Sequence, residues 1–379
     1  MEEDIPQDEL LRLAGLRYAA KNGNEEAGVS LKEGLIERKA LCLLREVGKE
    51  LDWPKDSTLE ARLESEIAKE REELEAKVKD AEENFGESEV REALLTQSKF
   101  VARTGSLSEA VEAYDKTLEK TVGSGQKIDV VLTLIRLGFA ANDFDFTRKN
   151  IARAKDLIEK GGDWERKNRL RVYEGVFNLA RRDMEGGAKL LLESLATFSA
   201  TELCSYRDFI LYTVITALVS VDRPTLKESV ANAPEILTMI HEIGRLEEFL
   251  RSVVACEYKT FMSALPDIIA MLKTDRYLGV HSSYIGRELR VVIYTQFLQS
   301  YQSVRIESMA NIFGVTVDFL DEELCRFITA GRINCKIDRV GGIIQTTRPD
   351  AKNALYQNTI KQGDALLNRV QKLSRVIYV

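Results

Sequence analysis

Proline, histidine and tryptophan are scarce here: the 379 residues hold six, two and two of them. So few prolines leave long stretches unbroken. With turn clusters sparse and Ala, Leu, Glu, Lys and Arg abundant, a mostly helical protein is expected. The two histidines, His241 and His281, lie outside any metal spacing such as HExxH, and neither is expected to take part in catalysis. Five cysteines, Cys42, Cys204, Cys256, Cys325 and Cys335, are scattered and odd in number. Without a CxxC pair they propose neither a zinc site nor a disulfide framework, and they read as small buried apolar residues in a reducing cytosol or nucleus. A P-loop, a GxGxxG fingerprint and a GxSxG elbow are all missing; Gly161-Gly162 before Asp163-Trp164 reads as a helix stop followed by a cap. No apolar run is long enough to span a bilayer, and the acidic start, Met1 to Glu9, is not expected to act as a secretory signal. Nothing in the residues proposes an enzyme, a cofactor or a bound metal.

What is present is length, charge and helical periodicity. The chain exceeds the size at which a single core usually stops growing, so two or more cooperating units are expected. It is 44% hydrophobic and 30% charged, with a net charge of -7. That balance disfavours bulk nucleic acid and anionic membranes as partners.

The most legible stretch runs from Gln299 to Thr347 and reads as a winged helix. Ile306, Met309, Ala310 and Phe313 share one helical face, Gly314 can stop that helix, and Thr316 can cap the next, with Asp318 in its first turn. Leu320, Leu324, Phe327 and Ile328 repeat the spacing up to Gly331. The period then changes to two. Ile333, Cys335 and Ile337 point one way, and Asn334, Lys336 and Asp338 the other. Gly341 and Gly342 supply a turn, and Ile343 to Thr347 form a return strand ended by Pro349. Such a module often reads DNA, but Asp318, Asp321, Glu322 and Glu323 oppose a single Arg326 on the helix that would enter the groove. Each carboxylate near a phosphate costs about 1 kcal/mol even in water. Five basic residues stand against six acidic ones from Gln299 to Thr347, so protein is the expected ligand.

Upstream, residues 1–50 carry two helical patterns, around Leu10 to Ala20 and Leu31 to Leu51, and read as a peripheral N-terminal arm. Trp53-Pro54 marks a break. Within 51–84, Ser57 to Asn84 forms one charged helix of about 42 Å, striped by Leu59, Leu63, Ile67, Leu74, Val78 and Ala81. It either docks along a neighbour as a strut or packs on its own chain by that narrow stripe. Residues 85–200 turn at Thr104-Gly105-Ser106, Asn142-Asp143 and Arg182-Asp183, roughly every 40 residues. Small and bulky residues recur after each turn: Ala110 with Tyr114, Ala154 with Ile158, Ala188 with Leu192. That is the pattern of stacked TPR-like helical hairpins, a solenoid in which each repeat buries its face against the next. Residues 201–302 continue as helix, with Phe209 to Val219 nearly all apolar, Pro224 and Pro234 each suited to a first turn, and amphipathic helices at Leu246 to Met262 and Glu288 to Tyr301. They lead into the winged subdomain at 303–347, so solenoid and module are expected to be continuous. In 348–379 a last helix runs from about Lys352 to Ile377. Leu366, Val370, Leu373 and Ile377 step by four, three and four, a short coiled-coil seam expected to join helices of other chains.

AGRINCKID at Ala330 to Asp338, after the capped helix of Val317 to Ile328, resembles the winged-helix half of PCI domains. FGESEVREALL at Phe85 to Leu95, GGDWERKNRLRVYEG at Gly161 to Gly175 and TRPDAKNALYQNTIKQGDALLNRVQKLSRVI at Thr347 to Ile377 are similar to the PCI subunits of the 26S proteasome regulatory-particle lid, the group conventionally numbered seven. The likeness covers nearly everything from about Leu51 onward. It implies a non-catalytic scaffold in ubiquitin-dependent protein degradation, present in cytoplasm and nucleus. The hetero-oligomer it implies contains sister PCI subunits and the lid's metal-dependent deubiquitinase subunits, with the ATPase ring as a further candidate. Partner contacts would fall on the terminal seam, Leu366, Val370, Leu373 and Ile377, and on a wing edge of Ile333, Cys335, Ile337 and Ile343, which another wing could extend. The alternatives are a COP9 signalosome scaffold of the same architecture and a winged-helix nucleic-acid binder using Arg332, Lys336 and Arg339.

Overall fold

The computed structural model describes residues 7–54, 56–84, 86–347 and 351–377, the last stretch with side chains from 355 to 375. It divides into two compact units, Met1–Val254 with Ala264–Gly286 and Ala255–Ser263 with Arg287–Val379. As expected, helical repeats and a C-terminal winged-helix module make up the architecture.

The first unit opens with α1 (Glu9–Lys21), α2 (Glu25–Glu37) and α3 (Leu41–Glu50). Two helical patterns become three helices because Lys39 adopts a left-handed φ of 57°, which breaks the Leu31 to Leu51 run. These three helices share a core of their own. Leu13 joins Leu31, Leu35, Ala40 and Val47 in a buried cluster, and the start of α1 is tied into the repeats. Asp8 caps α1 by accepting from the Leu10 N–H at 3.0 Å. The same carboxylate pairs with Arg136 at 2.8 Å, and the Asp8 N–H donates to the Glu202 carbonyl at 2.8 Å. One residue therefore satisfies an orphan helix donor and neutralises a half-buried cation.

Helix α4 (Ser57–Asn84) is the unbroken charged helix. Of its two expected roles, packing on its own chain is the one observed: Leu63, Val78 and Ala81 are buried. Its acids meet cations of this same unit, Glu60 with Arg45 at 3.0 Å and Glu70 with Arg103 at 2.8 Å.

Three hairpins follow: α5 (Glu87–Thr104) with α6 (Leu107–Lys120), α7 (Ser124–Ala141) with α8 (Phe144–Glu159), and α9 (Trp164–Ala180) with α10 (Met184–Glu193). The same turn chemistry closes the last two. Asn142 and Arg182 take left-handed φ angles of 57° and 67°, and the aspartate after each caps the next helix: Asp143 accepts from Phe146 N–H and Asp183 from Gly186 N–H, both at 3.0 Å. In the first hairpin Ser106 plays the capping role. Gly138 lets α7 approach α8, since a Cβ there would lie 2.4 Å from the Thr147 hydroxyl. Ala110 and Tyr114, and likewise Ala154 and Ala188, are buried where the helices meet.

Helix α11 (Tyr206–Ser220) is buried from Phe209 to Leu218, which explains its lack of a polar face. The short α12 (Arg223–Leu226) and α13 (Pro234–Met239) carry Pro224 and Pro234 in their first turns, as expected. The helix expected over Leu246 to Met262 is instead two, α14 (Leu246–Ala255) and α15 (Tyr258–Thr274), separated at Cys256 with φ 63°. Then α16 spans Ser282–Leu298, starting earlier than Glu288 and stopping short of Tyr301.

Candidate partner-binding surfaces of the winged module and terminal helix

The second unit carries β1 (Ser303–Arg305), α17 (Ile306–Phe313), α18 (Val317–Thr329), β2 (Cys335–Asp338), β3 (Ile343–Thr346) and α19 (Ala351–Ile377). Gly314 ends α17 with φ 68°, and Thr316 caps α18 by accepting from Phe319 N–H. Ile306, Met309, Ala310, Phe313, Leu320, Leu324 and Phe327 are buried. They pack with an aromatic cluster in which Phe313 lies 5.1 Å from Tyr294 and 5.4 Å from Phe297. Strand β1 has no counterpart in the periodicity, because three residues alternating exposed and half-buried leave no pattern. It pairs antiparallel with β3, which pairs antiparallel with β2. Pro349 lies outside the described residues, as does Phe85 of the quoted FGESEVREALL block.

This order of strands sorts the wing residues. Ile343 sits on β3, the central strand, bonded on both sides; it offers no edge, which corrects its assignment. Ile333 and Cys335 are buried and Ile337 is half-buried, so their side chains serve the module's interior. Burial pushes the Cys335 thiol up to about 11, with Cys325 adding to the effect. What remains for a neighbour is the outer backbone edge of β2, to which no described strand bonds.

The charges on α18 are largely consumed inside the module. Glu323 is buried and takes Arg290 at 2.7 Å and the Tyr294 hydroxyl at 2.9 Å. Burial and then Glu323 push the Tyr294 hydroxyl well above the phenol range. This corrects the grouping of Glu323 with Asp318, Asp321 and Glu322 as groove-facing acids: its place is on the helix face that meets α16. Two of the three cations required for nucleic acid are also occupied, Arg339 by Asp321 at 2.8 Å and Arg332 by Glu288. Lys336 is exposed on β2 beside the exposed Asp338, and one lysine makes no phosphate track. His241 meets Glu247 at 2.5 Å and His281 meets the Ala180 carbonyl at 3.0 Å. Among the described residues, no group of three or more His, Cys, Asp or Glu could hold a metal ion.

Helix α19 is different in kind. Every described side chain on it, from 355 to 375, is exposed. Leu366, Val370 and Leu373 are 64%, 54% and 61% exposed; the side chain of Ile377, fourth in the seam, lies outside those described. Leu355, Tyr356, Ile360 and Leu367 are exposed as well. They extend the stripe beyond the seam, and their spacing relative to Leu366 was the signal that could have included them. Contiguous exposed apolar surface of this kind marks interaction sites on proteins.

Three family models match the chain: 26S proteasome subunit RPN7 over residues 56–229, PCI domain over 268–348, and 26S proteasome regulatory subunit RPN7/PSMD6 C-terminal helix over 356–377. The chain is 45% identical to the 26S proteasome non-ATPase regulatory subunit 6 of Dictyostelium discoideum, with all of both chains covered. It is 52% identical to the subunit of that name from Oryza sativa subsp. japonica, over 85% of this chain and 83% of that one. To the 26S proteasome regulatory subunit RPN7 of Saccharomyces cerevisiae it is 40% identical, over 80% and 72%.

Proposed function

This chain belongs to the 26S proteasome regulatory subunit RPN7 family, and on that premise we propose that it is a non-catalytic structural subunit of the regulatory-particle lid, scaffolding assembly for ubiquitin-dependent protein degradation. The observation that carries the reading is the stripe on α19, exposed along its whole described length in a chain whose other long helices bury theirs. Burying it requires helices from elsewhere. The free edge of β2 offers a second contact, by strand addition from a neighbouring wing. On this reading the partners are sister PCI subunits and the lid's metal-dependent deubiquitinase subunits, with the ATPase ring as a further candidate, in cytoplasm and nucleus. On this reading the lid's deubiquitinating chemistry belongs to the metal-dependent subunits. Residues 85–200 act as the TPR-like arm, 303–347 as the lateral contact and 348–379 as the bundle helix.

Deleting Leu366 to Val379 tests the proposal. The truncated chain is expected to melt as the full one does and to be lost from the large complex on native sizing. Entry of the truncated chain at the full-length level would overturn the bundle role.

A further inference from the structure

In the first unit a cleft of 510 Å³ opens between the start of α1, the end of α2 and helices α4 to α7, a size common among small-molecule sites. Four of the side chains lining it are cations: Arg38, Lys99, Arg103 and Arg136. Three acids line it as well, and each is already committed. Asp8 holds Arg136 at 2.8 Å and Glu9 holds Arg38, while Glu70 is shared between Arg103 at 2.8 Å and Lys39 at 3.4 Å. Lys99 is exposed, and among the described residues no acid pairs with it.

The cleft also holds more donors than the chain answers. Tyr114 is only 2% exposed and lines the cleft, yet among the described residues nothing exchanges a hydrogen bond with its hydroxyl. Arg38 Nε and Arg103 Nε are buried without an acceptor. Burial, and then the charge of Arg103, hold the Arg38 guanidinium below its ordinary value, so the two cations stand close enough to oppose one another. Buried donors are normally met by acceptors, and these come from the end of α2, from α5 and from α6, in three directions. A phosphate group accepts from several directions at once and suits the planar arginine fork, whereas a single carboxylate accepts mainly in its own plane.

We propose that this cleft binds a small molecule carrying a short polyphosphate, held by Lys99, the Tyr114 hydroxyl and the Nε–H groups of Arg38 and Arg103. The site lies wholly within the first unit and does not depend on the chain's place in a larger assembly.

The test titrates tripolyphosphate, citrate and adenosine triphosphate into the purified full chain by calorimetry at one ionic strength, with a thermal melt of each form alone. Wild type is expected to bind one tripolyphosphate saturably and citrate more weakly. Lys99→Gln and Tyr114→Phe should each lower that affinity about tenfold. Lys116→Gln removes the same charge from an exposed position on α6 outside the cleft and should change it less than about twofold, because salt screens a distant charge. Without ligand, Y114F is expected to melt no lower than wild type, since the hydroxyl it removes supports no bond in the chain; a lower melt would make that hydroxyl a structural group. Adenosine triphosphate binding tighter than tripolyphosphate assigns the phosphates to a nucleotide, and weaker binding assigns them to a free polyphosphate. The absence of saturable tripolyphosphate binding would overturn the site, as would K99Q and Y114F both binding like wild type. A loss with K116Q equal to that with K99Q would reduce the effect to surface charge, and citrate binding as tightly as tripolyphosphate would overturn the assignment to phosphate.

Discussion

Replacing Leu366, Val370 and Leu373 together by alanine separates binding from folding more sharply than deletion does, because all three are more than half exposed and touch no core. The change removes about eight carbons from the stripe, and at about 0.8 kcal/mol per buried carbon the loss on assembly is about 6 kcal/mol if all are covered by partners. At about 1.4 kcal/mol per decade that is about four decades of affinity. Alanine is also the best helix former, so α19 itself is not weakened. The assay pairs incorporation of the tagged chain into the large complex with a thermal melt of the purified chain. Loss of incorporation at constant melting temperature is the expected result. A lowered melting temperature would mean that the stripe packs on its own chain, and unchanged incorporation would mean that nothing covers it; either refutes the reasoning.

Other consequences concern the supports of the two units. Glu323→Ala strands Arg290 and the Tyr294 hydroxyl in a buried site and should cost about 3–5 kcal/mol, seen as early unfolding of the winged module in urea; a cost below about 1 kcal/mol would show that the pair is solvated. Asp8→Ala removes both the cap of α1 and the partner of Arg136 and should cost about 2–4 kcal/mol, with faster amide exchange in α1 as the local sign. Glu50 is held below its ordinary value of 4.5 by a hydrogen bond from Arg17, and Glu66 by bonds from Arg62 and Lys39. A depressed carboxylate stabilises fully above its unfolded value and loses that contribution as pH falls through its folded value. Stability should therefore fall with acid below about pH 4.5, and Glu50→Gln should flatten that slope in a series of melts.

Sequence and structure agree best where one physical rule acts alone. The helix ends at Ser106, Asp143, Asp183 and Thr316 were legible because a capping side chain leaves a residue type at a fixed place. The division at Lys39 and the break at Cys256 were not, because an ordinary residue in a left-handed conformation leaves no mark in composition. The docking of α1 was hidden for another reason. Asp8, Arg136 and Glu202 are brought together by the fold across long separations, and no periodicity reports a contact of that kind. On α19 the a and d spacing of Leu366, Val370 and Leu373 marks one row of exposed apolar residues, while Ile360 and Leu367, exposed as well, lie off a strict a and d pattern because the apolar face is broader than a coiled-coil seam.

The same bookkeeping of charge that excludes one partner explains the other. A winged helix that reads DNA must keep its cations free and its second helix positive or neutral. Here the module spends Arg290, Arg332 and Arg339 on Glu323, Glu288 and Asp321, which fixes α18 against α16 and holds the wing against α18. Those pairs make the module rigid at the cost of any phosphate site. The features left unspent are the edge of β2 to which no described strand bonds and the exposed apolar stripe of α19. Backbone edges and apolar stripes discriminate by shape and register, and they match strands and helices of other proteins. The chain is therefore specialised toward protein neighbours by what its internal ion pairs withhold as much as by what α19 displays.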